Sequence, residues 1–536
     1  MKTSKISFML CLLLCSISIL SGCTSSSNTT SIQNNENEMQ EENQNKEVEE
    51  SENSSDETTD NIEDIDDITK AANNAGVSIH DPSLEKFDGT YYLFGSHMTG
   101  AWSDDLQTWT YIGNDYSEDN PLFENLFAED LGIFDYAGDY GDGSYAVWAE
   151  DVIYIEEMQK YVMYFCVSST YIQSNLCYAV SDTPEGPYVY QGPLLYSGYT
   201  SHMLEETDLY DYVDKRTIYS TYLSGGSYNN TLWPNCIDPA PFYDENGNLW
   251  MVYGSWSGGI FLLELDPATG LVIHPETDEE NNVDIYYGKR LIGGGHKSIE
   301  GPYIQYDEES GYYYLYVSYG DLDREGGYQI RVFRSETVDG TYVDMNGMYP
   351  EIAADHENYG LKLSGNYLMP SCAVAYMATG GQSILYDEDN GKRYICYHSR
   401  FDSGTEYHEP CVKQFFLNED GWPVLAPFTT KGETISENGY PLDEITGTYF
   451  FINQGIEIND EIAEPILIEL ANDGTVSGEI TGTWTYQDGT YYMSLTYNDI
   501  VYKGVFCEMQ DEAGTTVMTF SAVGNNESIW GAKYTH

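Results

Sequence analysis

The chain has 536 residues and carries 88 Asp and Glu against 22 Lys and Arg, a formal net charge of -66 at neutral pH. A surface of that sign repels phosphates, so nucleic acid and anionic membrane surfaces are excluded as partners and a neutral ligand is favoured. The 50 Tyr and 18 Phe supply a large core, and the length exceeds one average domain, so one large and one small domain are expected.

Lys2 and Lys5 precede an apolar run from Ile6 to Leu20, too short and wrongly flanked for a spanning helix, followed by Ser21-Gly22-Cys23. This predicts an export signal over residues 1–22. The small residues before Cys23 resemble the lipobox of bacterial lipoproteins, in which cleavage exposes the cysteine for acylation. Cys23 is therefore the expected lipidation site, tethering the protein to the outer face of a bacterial cytoplasmic membrane. That anchor is the only membrane contact expected, on a chain expected to act as a monomer. Residues 23–70 are rich in Ser, Thr, Asn, Glu and Asp and contain no aromatic residue, so nothing offsets the entropy of ordering them. They read as a disordered acidic linker, extended by like-charge repulsion.

Residues 71–435 read as strand almost throughout, in aromatic and β-branched runs separated by turns such as Asp88-Gly89, Asn246-Gly247, Ser310-Gly311 and Asn390-Gly391. One plan recurs five times: a polar residue, a short apolar run, a turn, and a second strand beginning at Tyr91, Tyr161, Trp250, Tyr313 or Tyr394. The leading residues are Asp81, Asp151, Asp238, Glu300 and Gln382. A repeat of this kind is the mark of radial architecture, and a β-propeller protects its sheet edges by such repetition around a central channel. With one repeat per blade, the five leading residues are expected at the starts of innermost strands, converging on one funnel. Asp-Pro is also a common turn pair, but recurrence in one register argues for the axis.

The repeat ends near Gly421 to Pro427, and the polar stretch from Thr429 to Asn438 reads as a boundary. Residues 436–536 carry alternating runs with tight turns, predicting a small antiparallel barrel or sandwich. The fold class is thus all-β, a five-bladed β-propeller followed by a small β-domain. Seven cysteines remain in the body, an odd number without metal-type spacing, and are expected to be buried free thiols.

His80-Asp81-Pro82-Ser83, Ile237-Asp238-Pro239-Ala240 and Ile299-Glu300-Gly301-Pro302-Tyr303 resemble the three acid-bearing motifs of family 43 glycoside hydrolases, which are five-bladed propellers. Residues 232–267, 298–335 and 415–427 are similar to the larger extracellular endo-α-1,5-L-arabinanases, a group in which a C-terminal β-domain also occurs. The resemblance implies an inverting hydrolase acting on arabinan, a neutral pectin side chain. By motif, Asp81 would be the general base, Glu300 the general acid, and Asp238 the group that keeps Glu300 protonated and oriented. Inversion requires one carboxylate to activate a water while a protonated carboxyl serves the leaving oxygen, about 6.5–9.5 Å away. A negative neighbour raises the acid's pKa, which lets one site hold two carboxyl groups in opposite states.

The resemblance also implies an ion, usually calcium, bound by His398 on the propeller axis, although calcium by itself prefers oxygen ligands. Candidate sugar contacts are His97, Trp102, Trp148, Asp151, Trp256 and Tyr319, since aromatic faces suit the apolar faces of a sugar. Two places depart from the family pattern. Glu150 stands where Pro is usual beside Asp151, and Gly380-Gly381-Gln382-Ser383 lacks a usual His. Exo-arabinanase, arabinofuranosidase and β-xylosidase activities remain open, because loops that close one end of a groove change the activity without touching the acids. A non-catalytic glycan-binding surface lipoprotein is the alternative from another class. For the C-terminal domain, capping the propeller is favoured over a binding role.

Overall fold

In the computed structural model, residues 68–138, 145–170, 172–352 and 354–534 are described. The export signal, Cys23 and nearly all of the linker lie outside them. The innermost strands are Ser83–Phe87, Ala146–Ile155, Ala240–Tyr243, Ile299–Asp307 and Tyr376–Asp387. Each opens an antiparallel sheet; four sheets have four strands and the third is enlarged to six. The second strands are Thr90–Gly95, Lys160–Thr170, Leu249–Tyr253, Tyr312–Tyr319 and Lys392–Phe401, so each expected start falls within two residues of the observed one. The innermost strands touch one another in cyclic order, first to second through to fifth and back to first. This is a five-bladed propeller.

Closure of the ring depends on contacts between residues far apart in sequence. Ala71 pairs with Cys372, the Leu84 amide donates to Ser383 Oγ at 2.8 Å, and Lys86 and Tyr91 both bond the Asp387 carboxylate at 2.6 Å. The leading residues do not all stand at strand starts. Asp81 and Asp238 directly precede their strands and Glu300 is the second residue of its own, whereas Asp151 and Gln382 lie well inside longer strands. The ladder shifts register between Trp148 and Asp151, between Glu300 and Tyr303, and between Gly380 and Ser383. Such bulges turn a side chain toward the axis while the strand continues past it.

After the last propeller strand, Pro423–Leu425, the chain leads through a short helix, Leu442–Ile445, into a closed eight-stranded barrel spanning Gly447–Asn453 to Glu527–Lys533. The run from Gly474 to Asp488 is two strands, Thr475–Gly478 and Gly482–Tyr486. Glu527–Lys533, which the sequence reading did not count, closes the barrel against its first strand. Closure removes the free edges a sandwich would leave. Tyr449, Phe451, Trp484, Leu495, Phe506 and Phe520 fill the interior. On its outside, Val505, Met509 and Trp530 join one apolar core with Tyr367, Phe415 and Trp422 of the propeller. All seven described cysteines are buried and unpaired.

Candidate active site

Residues 81–83, 149–151, 238–239, 301–303 and 381–383 line one cavity of about 40 Å³ on the propeller axis, one segment from each blade. Asp81 (φ 50°) and Asp238 (φ 54°) both adopt left-handed backbone, which Asp tolerates better than most residues. The following Pro82 and Pro239 lack an N–H, which innermost strands can forgo because their free edge faces the channel.

Asp81 is held by a hydroxyl and an imidazole. Its Oδ2 accepts from Ser96 Oγ at 2.7 Å and lies 2.7 Å from His80 Nδ1. Burial pushes its pKa up, but the charge and hydrogen bond of His80, the Ser96 hydroxyl and the charge of His408 outweigh this and leave it below the ordinary value. Asp81 is thus ionised at neutral pH.

On the opposite side the surroundings are acidic. Asp238 Oδ2 accepts from the Gly301 amide at 3.1 Å, and Glu300 Oε2 accepts from Ser255 Oγ at 3.0 Å. The side chains of Tyr328 and Trp256 also come close enough to Glu300 to favour its charged form. Burial, then the charges of Glu300 and Asp81, push the Asp238 pKa well above its usual range, against the Gly301 amide. Burial raises Glu300 as well, opposed by Tyr328, assisted by the charge of Asp81, and opposed by Ser255 and Trp256. The surroundings of Asp238 and Glu300 thus push both toward their protonated forms, whereas those of Asp81 favour its carboxylate.

The other expected residues divide. His97 is exposed, its amide bonded to the Val147 carbonyl at 2.8 Å, and it lies close enough to His80 and Asp81 for their charges to act on it. Trp148 is half-buried on the second innermost strand beside the axis. Asp151 is buried in the cavity wall, its Oδ1 accepting from Ser83 Oγ at 2.7 Å. Burial, opposed by Ser83 and the Val152 amide, pushes its pKa to about 7. Asp151 in turn helps raise Glu85, the next acid along the channel. Trp256 is half-buried and directed at Glu300, so it contacts the carboxyl itself. Tyr319 does not line a groove: it is fully buried, with Arg331 over its ring at 5.2 Å and His356 against it. As the last residue of its strand it points into blade packing. Trp102 is exposed two strands out from the axis, on Thr99–Ser103.

Glu150 occupies the position where Pro was expected, and its Oε1 accepts the Met98 amide at 2.8 Å. It thereby holds the strained turn of His97 (φ 68°) and Met98 (φ 59°). Gln382 is engaged at both ends, accepting from Ser318 Oγ at 2.9 Å and donating to the Gly301 carbonyl at 2.7 Å. His398 is completely buried and stacks on His80 at 3.8 Å. Its Nδ1 faces the Asp81 amide at 3.2 Å, and its Nε2 has no hydrogen-bond partner. His80, Asp81 and His398 each offer a ligand atom, all within 4.8 Å of one another. With Nδ1 accepting, the neutral His398 ring carries its proton on Nε2; two imidazoles and a carboxylate this close together are a donor set that fits a cation.

Ser96, Ser255 and Tyr328 were not singled out from the sequence. A signal existed for the serines: Gly95-Ser96 and Gly254-Ser255 end the second strands of the first and third blades, and each hydroxyl reaches a motif carboxyl. Tyr328 had none among 50 tyrosines.

The profile of glycosyl hydrolases family 43 matches residues 217–423, and that of a C-terminal lipocalin-like domain matches residues 427–531. The chain is 39% identical over 472 residues to extracellular endo-α-(1→5)-L-arabinanase 2 of Bacillus subtilis, covering 85% of this chain and 93% of the relative. The chain belongs to glycoside hydrolase family 43. Similarity to other members spans both domains. The extracellular endo-α-(1→5)-L-arabinanase of Thermotoga petrophila is 38% identical, over 85% of this chain and 93% of that protein. The crystal structure of an endo-1,5-α-L-arabinanase from Thermotoga petrophila superposes with a TM-score of 0.74, covering 87% of this chain and all of the other. A family 43 protein from Bacillus licheniformis gives 0.75, at 38% identity, over 86% of this chain and 99% of the other. As a member of this family the protein is a glycoside hydrolase.

Proposed function

We propose that this protein hydrolyses α-1,5-linked L-arabinan within the chain, outside the cell, by single displacement with inversion. One observation carries the reading: three carboxyl groups from three blades meet near one axis, one held ionised and two pushed toward their protonated forms. Asp81 takes the proton of a water as it attacks the anomeric carbon, and Glu300 donates to the departing glycosidic oxygen. Asp238, fixed by the Gly301 amide, keeps the proton on Glu300 by repulsion. The names of the two bacterial relatives support arabinan as the substrate and the outside of the cell as the location. Cys23 would supply the lipid anchor and residues 23–70 the spacer.

A calcium ion is assigned to the cluster of His80, Asp81 and His398, whose ligand atoms lie within 4.8 Å of one another, with His398 Nδ1 3.7 Å from Asp81 Oδ1. Bound there, it would place positive charge near the base and help keep it ionised. Prolonged chelation is expected to lower both melting temperature and turnover; no change in either would remove the ion from this account.

The deciding experiment is a product profile from linear α-1,5-arabinan, with Glu300→Gln alongside. A ladder of mixed oligosaccharides that disappears in the variant is expected. One short product from the start would make the enzyme exo-acting, and intact arabinan with measurable binding would indicate a glycan-binding protein.

A further inference from the structure

The barrel reaches the active site through one segment. Residues 454–463, the connection between the first two barrel strands, Gly447–Asn453 and Ile466–Leu470, lie along the fourth blade. The Gln329 side chain donates to the Glu457 carbonyl at 3.0 Å and to the Gly327 carbonyl at 3.1 Å. Arg331, fully buried, bonds the Ile456 carbonyl, and Lys362 Nζ donates to the Glu457 carbonyl at 3.1 Å. The Leu368 amide donates to the Ala463 carbonyl at 3.1 Å, and the Ala463 amide to Asn366 at 3.0 Å. Five separate bonds thus tie a barrel connection to a propeller blade.

At the centre of this seam is Gly327 (φ 70°), where a Cβ would stand 2.7 Å from the Asn459 carbonyl oxygen and 2.8 Å from its amide nitrogen. Both the conformation and the space require glycine. The next residue is Tyr328, only 2% exposed. Its ring stacks on His398 at 5.7 Å, in room left by Gly380, where a Cβ would lie 2.2 Å from the ring. Its hydroxyl lies beside the residue after Glu300, 4.0 Å from where a Cβ of Gly301 would stand, close enough to act on the Glu300 carboxyl.

We propose that the 454–463 segment of the barrel is a positioning element of the active site, which seats Gly327 and so aims the Tyr328 hydroxyl at Glu300. This rests on the reading of Glu300 as the general acid. The barrel then contributes to catalysis without touching substrate, and Tyr328 is a positioning residue. A hydroxyl donating to a carboxyl favours its ionised form, so Tyr328 tempers the upward push that burial and the neighbouring Asp81 exert on Glu300. The other groups facing Glu300 are Asp238, Ser255 and Trp256, none of which the segment contacts.

The test measures kcat, KM and the pH profile on linear α-1,5-arabinan for Tyr328→Phe, Gly327→Ala and Glu300→Gln in the intact protein. Tyr328→Phe is expected to lower kcat about tenfold with KM within about twofold, as loss of one hydrogen bond to an ionisable group would. Its alkaline limb is expected to move to higher pH, because the donor that favoured carboxylate is gone. Gly327→Ala, far from substrate, is expected to shift the limb in the same direction. Should Gly327→Ala not fold, Gln329→Ala, which deletes the side-chain bonds to the Glu457 and Gly327 carbonyls and the one accepted from Arg331, carries the same expectation at about threefold. A lower melting temperature with wild-type kcat and pH profile in the seam variant would overturn the proposal and leave the barrel a stabilising cap. Retained activity in Glu300→Gln would instead sink the underlying assignment of the acid, so the two failures are distinguishable.

Discussion

The first blade and the junction of the third and fourth each bring half-buried acid to the propeller axis, with opposite results. Burial alone would raise every carboxyl in the channel. At Asp81 a histidine and a serine hydroxyl overcome that push, whereas at Asp238 the nearest charges are other carboxylates and the push is reinforced. Residue type and depth are similar on the two sides, so the neighbours decide which carboxyl is held charged and which is pushed toward its protonated form.

The strongest way to break this contrast is to remove the acid's proton. Glu300→Gln keeps the shape and is expected to reduce turnover on arabinan by about 10³- to 10⁴-fold, with an unchanged melting profile. Next is Asp238→Asn, which removes the repulsion and can still accept from the Gly301 amide. A loss of about 10²-fold is expected, with the alkaline limb moving to lower pH, because Glu300 then gives up its proton more easily. On the other side, Ser96→Ala withdraws a donor that depresses Asp81. The base then protonates at higher pH, so the acidic limb is expected to move upward with about a tenfold loss of kcat. A shift of the alkaline limb instead would mean that Ser96 serves the acid.

The smallest effect sharpens the comparison in stability. Asp151, at about 7, keeps a proton that the unfolded chain releases near pH 4, so between these values folding takes up a proton. Stability contributed at this site falls as pH rises through that window. Asp151→Asn is expected to flatten the fall, recovering roughly 2–4 °C of melting temperature near pH 8 relative to the parent. An unchanged pH dependence would place the proton on Glu85.

The aromatic residues mark where sequence reading met its limit. Trp256 and Tyr319 both lie at or just beyond strand ends and were expected to meet sugar; Trp256 is half-buried beside Glu300, whereas Tyr319 is sealed under Arg331. Asp151 and Gln382 reached the axis as expected, but from within bulged strands. Tyr328 was invisible because its importance comes from Gly380, His398 and the barrel, all distant in sequence.

By itself, the sequence determined the five-fold repeat, the strand starts to within two residues, the three motif acids and the presence of a second β-domain. Those features are local, written in two-residue alternation, turn pairs and short motifs that need no partner to be read. Only the tertiary structure decided which acid is charged, which aromatics face the channel, what Gln382 clamps and how the barrel meets the blade that carries Tyr328. Each of these depends on which blade stands beside which, and a pKa or a hydrogen bond answers to neighbours in space that no stretch of chain contains.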